Sequence, residues 1–456
     1  MPVSKGSTTK ERENEQAQAI SAMYANQAGV NFGKGLADPF VSVLAIDLGA
    51  TAPQLGWLNA FTNLFPAVMQ VPWGKLSDFF GRRVPFLVIG GVISFILYFF
   101  MVGSVDPWQL IFLVSVQLAV GSMMIPTWYA LVGDRTTPAS RGYVMSRFFV
   151  VSSLASIIAT LIGGAIASDV KSSSTLAKYS IPFFMAGISG ILGSIAIMRV
   201  NEEKRRLHAS PKRIFAFGMK SFIFTSELKE NPHFRDLVIL NSSFNFLMSI
   251  IWPILYITYV KVLDASLWQI AVMTVISTGS TILFQLKVGR LLDLIGPIPQ
   301  ILISRVAYIS VPIVFALATS VWHIYVINAA LGFANAMANV AFFKYILDVA
   351  PEEKKGEYFA VYNTVIGLAT FAGCVIGGYL AAFFMDWLVP AIEGSEAYVD
   401  QLILALGAVY AISAFGRAAG AIWFIKLKDP VKYPETLMSV TRKTLKRWKK
   451  NIFSPS

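Results

Sequence analysis

The stretch Gly74-Lys75-Leu76-Ser77-Asp78-Phe79-Phe80-Gly81-Arg82-Arg83 decides how the rest of the chain is interpreted. It lies between two long apolar runs and places one carboxylate, three cations and two glycines within ten residues. A turn this tight needs glycine, because the chain must reverse with little room for side chains. Arg82 and Arg83 adjoin an apolar run, which predicts that they mark the cytoplasmic side of a membrane. Asp78 is placed to bind helix amides or arginines of a facing segment.

The same pattern occurs a second time, as Gly289-Arg290-Leu291-Leu292-Asp293-Leu294-Ile295-Gly296. Its two glycines and its aspartate lie 215 positions after Gly74, Gly81 and Asp78. Other markers repeat at a spacing of 214 or 215 positions: Pro39 and Pro253, Gln54 and Gln269, Asp134 and Asp348, and Gly163-Gly164 and Gly377-Gly378. A duplication of this length predicts two similar halves.

The composition places the chain in a membrane. Of its 456 residues, 55% are hydrophobic and 14% are charged, and the mean hydropathy is +0.61. Soluble proteins carry about 25% charged residues, so this chain has too much apolar surface for water. A net charge of +12 would suggest nucleic-acid binding in a soluble protein. Here the positions of the cations argue against a nucleic-acid partner.

Twelve runs of about 20 residues or more are predicted as membrane spans, although the first is unusually polar. The predicted spans are 23–47, 54–72, 84–102, 108–132, 143–167, 179–200, 236–262, 267–288, 299–319, 322–347, 358–385 and 401–427. They divide the chain into a cytoplasmic N-terminal tail (1–22), a six-helix bundle (23–200), a cytoplasmic linker (201–235), a second six-helix bundle (236–427) and a basic cytoplasmic tail (428–456). The phenylalanine-rich run 214–224 of the linker is too short to span and predicts an interfacial helix.

The basic residues are strongly biased to one side of these spans. Of the 38 Lys and Arg, 30 fall in the two tails, the linker and the loops on the side of Arg82, whereas 3 fall in the opposite loops. This bias predicts that both termini are cytoplasmic. It also predicts a multi-pass protein of the cytoplasmic membrane that contacts the lipid bilayer on all sides.

The spacing G-x-L-x-D-x-x-G-R-R resembles the signature loop of the major facilitator superfamily, between its second and third transmembrane helices. The run Gly33–Pro39, Gly49 and the turn Ala52–Gly56 precede the loop in the order typical of that superfamily. The resemblance implies an all-α membrane protein with twelve helices in two pseudo-symmetric bundles. It also implies that helices 1, 4, 7 and 10 line a central cavity, that the halves rock by alternating access, and that the residues of the two quoted loops form a cytoplasmic gate.

Three polar residues of the first span form the leading site candidate. Asn31, Lys34 and Asp38 fall at i, i+3 and i+7 and share one helix face. A charge inside a bilayer costs about 2.5–3.5 kcal/mol on insertion scales, and Lys34 and Asp38 can share this cost by pairing. The functional interpretation makes Asp38 a proton or substrate-cation site and Lys34 its competing counter-charge. The alternative is a static buried ion pair.

Amide side chains supply the remaining translocation candidates. They are Asn59 and Asn63 in the second span, Gln117 in the fourth, Asn241 and Asn245 in the seventh, and Asn335 and Asn339 in the tenth. Amides that face a wet cavity bind hydroxyls or amides of a solute, but asparagine also bridges packed helices. Both interpretations stay open at this stage. The third span is apolar apart from its glycines and Ser94, so we expect it to face lipid.

The remaining cations of the spans have structural explanations. Arg147, Arg305 and Lys344 lie near the cytoplasmic surface, where snorkelling to the lipid headgroups accounts for them, as would helix-end ion pairs. Arg417 is deeper, and a structural role is favoured because helix 12 is peripheral in the superfamily that the chain resembles.

Several functions are disfavoured. Drug antiporters of the resembled superfamily usually carry an arginine in helix 4, where this chain has Gln117, and Gly163-Gly164 lacks the usual preceding proline. No phosphate-binding G-x-x-x-x-G-K-[ST] motif is present, which argues against ATP as the energy source. One cysteine and three histidines argue against a metal centre. We expect no catalytic residue, no cofactor and no enzymatic activity.

The sequence therefore predicts a monomeric secondary transporter of a small organic solute, with protons as the candidate coupling ion at Asp38. The first alternative is a multidrug or toxin efflux antiporter of the same superfamily. The second is a transporter-like membrane receptor, which is disfavoured because the predicted cytoplasmic tails are short.

Overall fold

The computed structural model describes residues 9–136, 138–170, 175–202, 226–389, 396–428 and 433. Throughout these ranges the regular structure is helical and contains no strand. The predicted interfacial helix of the linker and most of the basic tail lie outside the described residues.

The first half contains six long helical units, several of them broken. Their bounds are α1, Thr9–Ala37, the 3-10 turn Asp38–Phe40 and Val41–Asp47; α2, Ala52–Phe80; α3, Val84–Val102; α4, Pro107–Gly121 and Met124–Arg135; α5, Pro138–Asp169; and α6, Thr175–Ala196 with the 3-10 turn Ile197–Arg199. The helix of α1 begins at Thr9, so part of the predicted N-terminal tail is a continuation of the first span.

The second half repeats this plan after a short helix, Ser226–Glu230. Its units are α7, Pro232–Ser249, Trp252–Ile257 and the π-helical turn Thr258–Val262; α8, Leu267–Ile295; α9, Pro297–Leu317; α10, Val321–Val349; α11, Lys355–Leu388 after the 3-10 turn Glu352–Lys354; and α12, Glu396–Trp423 with the 3-10 turn Phe424–Lys426. Ten of the twelve units are long and apolar enough to cross a membrane. The other two, α1 and α2, carry half of the polar candidates singled out above and pack within the bundle with the rest.

The duplication read from the sequence recurs in local structure. Gln54 and Gln269 each complete a capping box at the start of the second helix of their half, with Thr51 and Ser266 as the N-cap residues. Gly81 and Gly296 both have positive φ, +64° and +80°, which confirms the expected need for glycine in both loops.

Proline breaks the first helix of each half. Asp38 and Pro39 open the 3-10 turn of α1, and Pro253 follows the break in α7. Proline lacks an amide proton and prevents the helix from continuing with regular hydrogen bonds. The repeated prolines therefore place one irregular backbone segment in each half.

The two halves pack tightly at one end. The end that holds Gly49 and Gly378 is called here the predicted outer end, after the charge bias. A Cβ added to Gly378 of α11 would lie 2.7 Å from the carbonyl oxygen of Ala52 and 3.0 Å from Cα of Gly56, both in α2. A second contact joins α5 to α8, where the amide of Trp268 donates to Oγ of Ser168 over 2.7 Å. These contacts of α2 with α11 and of α5 with α8 hold the two halves together at the predicted outer end.

Candidate transport site

Asp38 lies at the break in α1, and its carboxylate is bound by a tyrosine from another helix. The hydroxyl of Tyr98 in α3 donates a hydrogen bond to Oδ1 of Asp38. The Gln117 side chain of α4 lies beside the same hydroxyl. The side chain of Asp38 is solvent-accessible although protein surrounds it, and Tyr256 of α7 in the opposite half lies within range of its charge. The carboxylate therefore sits where the two halves meet, with one partner supplied by its own half.

The expected ion pair between Lys34 and Asp38 is not formed. Lys34 is half-buried and makes no ion pair or hydrogen bond with any described residue, although its charge still acts on Asp38. The physical reason is the break in α1. The regular helix ends at Ala37, so Asp38 no longer stacks one turn above Lys34 as an i, i+4 pair requires.

The expectation that α3 faces lipid is wrong for one of its faces. Tyr98 is 1% exposed and Phe95 is equally buried. Gly91 lets α3 approach α6 so closely that an added Cβ would lie 2.1 Å from Oγ of Ser194. Sequence reasoning missed Tyr98 because its ring was counted as apolar, while its hydroxyl carries the contact to Asp38. A lone tyrosine inside an otherwise apolar span was the available signal.

The other polar candidates of the first half are mostly occupied by their own helices. The Asn31 amide donates to the carbonyl and the side-chain oxygen of Gln27, at 2.8 and 3.2 Å. Asn59 donates to the carbonyl of Leu55, and Asn63 to that of Asn59, each at 2.9 Å. Asn63 lies where α2 meets α11 across the two halves, since its carbonyl oxygen would lie 3.4 Å from a Cβ at Gly367.

The second half contains a directional chain of hydrogen bonds. Nδ2 of Asn245 donates to Oδ1 of Asn241 over 3.1 Å, and Nδ2 of Asn241 donates to the hydroxyl of Tyr362 in α11 over 2.6 Å. The hydroxyl of Tyr308 in α9 donates separately to Oδ1 of Asn335. These contacts bring three predicted site residues into one polar region. Asn339 is exposed and forms no hydrogen bond within the described part of the chain.

Two buried arginines occupy the same half. Arg417 donates from one terminal nitrogen to the carbonyl of Tyr308 over 2.7 Å and from the other to the carbonyl of Met248 over 2.8 Å. Pro312 lies four residues after Tyr308 and has no amide proton for that carbonyl. Arg417 therefore satisfies a backbone group that the proline leaves open, which supports the structural role expected for it.

Arg305 does not snorkel to a surface, which corrects the sequence interpretation. It is 3% exposed. Four aromatic rings enclose its guanidinium, with the ring centres of Phe244, Phe342, Tyr308 and Phe424 at 4.5, 4.7, 5.3 and 5.4 Å. These rings come from α7, α9, α10 and the turn after α12, so the side chain is held inside the bundle rather than extended toward headgroups.

The first signature loop is held together by local contacts. Asp78 and Arg83 form an ion pair, and Arg83 also donates to Oγ of Ser77 over 2.7 Å. Glu202, which follows α6, accepts from the backbone amide of Val84 over 2.8 Å and so caps the start of α3. Arg82 is exposed. Gly74 faces α4, since a Cβ added to Gly74 would lie 3.4 Å from Cβ of Pro126.

The second signature loop is held by the segment after α12 instead. The hydroxyl of Tyr433 donates to Oδ2 of Asp348 over 2.7 Å, and its ring would lie 2.5 Å from a Cβ at Gly296. Asp293 is exposed, and a Cβ at Gly289 would meet no atom within 4 Å. The side chain of Arg290 lies outside the described part of the structure. Most of these loop contacts lie within one half, whereas Lys75 of the first loop lies within range of the charge of Glu357 in α11 of the other half.

Metal ligands do not cluster in the part of the chain that the structure describes, where no group of three or more His, Cys, Asp or Glu is placed to hold an ion.

A family model described as Major Facilitator Superfamily matches residues 23–373 and 237–455. The chain belongs to the Major Facilitator Superfamily. It is therefore a multi-pass transporter of the plasma membrane, and its family and fold are those of transporters. Individual relatives also align with most of the chain.

An uncharacterized MFS-type transporter of Methanocaldococcus jannaschii is 24% identical over 76% of this chain and 87% of the relative. The multidrug resistance protein MdtG of Proteus mirabilis is 22% identical over 82% of this chain and 91% of its own. The quinolone resistance protein NorA of Staphylococcus aureus is 24% identical over 79% of this chain and 89% of its own.

Solved structures of the superfamily share the fold. A bacterial homologue of the human lysosomal transporter Spinster, in an inward-facing and unoccupied conformation, has a TM-score of 0.68 at 15% identity and covers 94% of this chain and all of its own. A variant of the nucleoside transporter NupG has a TM-score of 0.68 at 13% identity and covers 91% of this chain and 99% of its own. At these identities the likeness concerns the fold alone.

Proposed function

We propose that this chain is a monomeric secondary transporter that moves a small organic solute by alternating access and couples the movement to protons at Asp38. The observation that carries the proposal is an exposed carboxylate at a helix break between the two halves. Asp38 lies nine residues, or roughly 13 Å of helix, from the predicted outer end of α1 at Asp47. An ionisable group at such a depth marks a proton or ion pathway by default.

Tyr98 provides the link between protonation and structure. Its hydroxyl donates to the charged carboxylate, and a hydrogen bond to an ionised acceptor is roughly twice as strong as a neutral one. A proton on Asp38 would weaken this contact and remove the charge that acts on Tyr256 across the interface. Protonation would thus favour a different arrangement of the halves, which is the requirement for coupling.

Alternating access is supported by the packing at the predicted outer end. Contacts such as Gly56 with Gly378 hold α2 against α11 there, and an inward-facing member of the superfamily has the same fold. The ion pair of Asp78 and Arg83 belongs to a loop that we assign to the latch of the opposite state. Asp78→Asn is expected to cut transport and leave membrane insertion intact, whereas normal transport would remove the latch assignment.

Drug efflux is the second candidate function. It is supported by relatives named for multidrug and quinolone resistance that align over most of this chain. Expression in a drug-sensitive host distinguishes it from uptake of a nutrient. Raised resistance to quinolones or cationic dyes that disappears in Asp38→Asn favours efflux, and unchanged sensitivity argues against it.

The test of the proposal is solute uptake into proteoliposomes under an imposed pH gradient, with a panel of labelled nucleosides, peptides, organic acids and drugs. Native protein and Asp38→Asn are compared. Asp106→Asn serves as the matched control, because Asp106 is an exposed helix cap that accepts from the amide of Trp108 over 2.8 Å, and asparagine caps helices equally well.

Gradient-driven uptake is expected in the native protein and in Asp106→Asn, with a loss of about 100-fold or more in Asp38→Asn because this substitution removes the carboxylate that we propose to bind the proton. Uptake that ignores the gradient and survives in Asp38→Asn would contradict the proposal and indicate a uniporter or exchanger.

A further inference from the structure

The hydrogen-bond chain of the second half ends on a donor that has no acceptor. Asn245 donates to Asn241, and Asn241 donates to the hydroxyl of Tyr362. The lone pair of Tyr362 is therefore used, and its own hydroxyl proton points to no acceptor among the described residues. Chains of hydrogen bonds polarise one another, which makes the last donor stronger than an isolated tyrosine.

Arg305 brings further donors to the same place. Its charge acts on Tyr362, and the ring of Phe342 adjoins both side chains, 4.7 Å from the guanidinium carbon and 6.3 Å from the ring centre of Tyr362. Nε of Arg305 is buried without a hydrogen-bond partner. Within the described ranges, none of its N–H groups donates a hydrogen bond and no carboxylate pairs with its charge.

This arrangement lacks one component, an anion. A buried charge is normally paired and hydrogen-bonded, because leaving it without a partner is costly. Aromatic rings offset part of this cost through cation–π attraction, but they offer no lone pair to the N–H groups. Arg417 shows the contrast within the same half, since both of its terminal nitrogens reach a carbonyl oxygen. The donors of Arg305 in α9 and the hydroxyl proton of Tyr362 in α11 both adjoin the ring of Phe342, and an acceptor with negative charge completes the set.

We propose that Arg305 and Tyr362 form an anion subsite in the second half of the protein that takes a carboxylate or phosphate group of the transported solute. This assignment rests on the proposed transport function and narrows its substrate class to organic anions. Asn241 and Asn245 are positioning residues, because they orient the Tyr362 hydroxyl rather than touch the anion. The guanidinium fork can donate to two oxygens of either group at once.

The test is a titration of full-length protein in a neutral detergent. The thermal unfolding midpoint is measured at each anion concentration. Sodium phosphate and sodium succinate are the probes, at ionic strength held constant with sodium chloride. A third arm adds phosphatidylglycerol micelles, which present the same phosphate chemistry on a lipid headgroup. A ligand that binds only the folded state raises the midpoint in a saturable manner.

The expected result is saturable stabilisation of the native protein by phosphate or succinate. Arg305→Gln should weaken the apparent affinity by about tenfold or more, and Tyr362→Phe by a few fold, because each removes one donor to a charged acceptor. Arg147→Gln is the matched control, since Arg147 is exposed on α5, and it should leave the affinity unchanged. Arg305→Lys keeps the charge without the fork and should give an intermediate affinity if Arg305→Gln does not fold.

Equal affinities in the native protein, Arg305→Gln and Tyr362→Phe would overturn the subsite, as would the absence of any saturable effect. Stabilisation by phosphatidylglycerol alone would also overturn it and assign the site to a lipid headgroup. The titration uses no pH gradient, so it is independent of the Asp38 experiment. If anions bind but gradient-driven uptake fails, the subsite proposal stands and the transport proposal is contradicted.

Discussion

The two halves of this protein share a scaffold and differ in the charged residues that their spans contain. Each half has a broken first helix, a capping box at the start of its second helix and a glycine with positive φ in its signature loop. The first half places one carboxylate, Asp38, at its break. The second half has no acid at the matching break and buries Arg305 and Arg417 instead. The break, the capping box and the glycine are therefore present in both halves, whereas the polar side chains differ.

The difference assigns separate tasks to the halves. A carboxylate at an interface changes its charge with one proton, whereas an arginine stays charged at any physiological pH. The half with Asp38 is therefore suited to respond to protons, and the half with Arg305 is suited to a constant electrostatic attraction. The three predictions below compare the stability that each half gains from contacts that differ between the halves and from features that they share.

The largest expected effect concerns Arg417. Arg417→Met keeps the length of the side chain and removes its hydrogen bonds to the carbonyls of Tyr308 and Met248. Each buried acceptor left without a donor costs about 1–3 kcal/mol, so we expect a total loss of about 2–6 kcal/mol for the two carbonyls. The measurement is the thermal unfolding midpoint of the purified protein. Arg147→Met, at an exposed position of α5, is the control and should change little. A midpoint equal to that of the native protein would mean that Arg417 does not support α9 and α7.

The next effect compares the same substitution in the two signature loops. Gly296→Ala should destabilise more than Gly81→Ala. Gly81 is in the left-handed helical region, where alanine costs about 1–2 kcal/mol. Gly296 has φ 80° and ψ 176°, a region essentially confined to glycine, and its Cβ would also meet the Tyr433 ring at 2.5 Å.

Thermal unfolding of both variants checks this order. The double variant Gly296→Ala with Tyr433→Ala should recover part of the loss, because it removes the ring but not the strained backbone. An equal loss of stability in Gly81→Ala and Gly296→Ala would show that the clash with the Tyr433 ring adds nothing to the cost.

The smallest effect concerns the capping boxes. Thr51→Ala and Ser266→Ala each remove an N-cap side chain that accepts from the amide of a glutamine. Loss of such a cap costs about 1 kcal/mol, and we expect the two values to agree because the local geometry repeats. Thermal unfolding provides the comparison. A difference well beyond that size would show that the two halves do not use this device equally.

Local rules explain why much of the scaffold was predictable. A tight loop needs a residue that tolerates positive φ, and both expected glycines, Gly81 and Gly296, have it. Pro39 and Pro253 repeat at the two breaks, where a missing amide proton interrupts the helical hydrogen bonds, although Pro66 and Pro72 lie inside the continuous helix α2. Gln54 and Gln269 lie three residues after a Thr or Ser, which is the spacing of a capping box. Each of these features depends on a few adjacent residues.

The pairing of side chains depends on which helices become neighbours, and this was not predictable. Tyr98 is 60 residues from Asp38 and lies in a span whose composition indicated lipid. The expected pair of Lys34 and Asp38 required an unbroken helix, and the break at Asp38 removed that geometry. Arg305 lies close to the predicted inner end by sequence, but rings from three other segments enclose it. Tertiary packing therefore overrode the expectation of snorkelling.

The most direct test of the central claim measures proton movement at Asp38. Proteoliposomes with a trapped pH-sensitive dye start without a pH gradient, and a gradient of the transported solute is then imposed. The account predicts that protons move with the solute in native protein and in Asp106→Asn. It predicts no proton movement in Asp38→Asn, even where solute exchange persists. Proton flux of native size in Asp38→Asn would contradict the account.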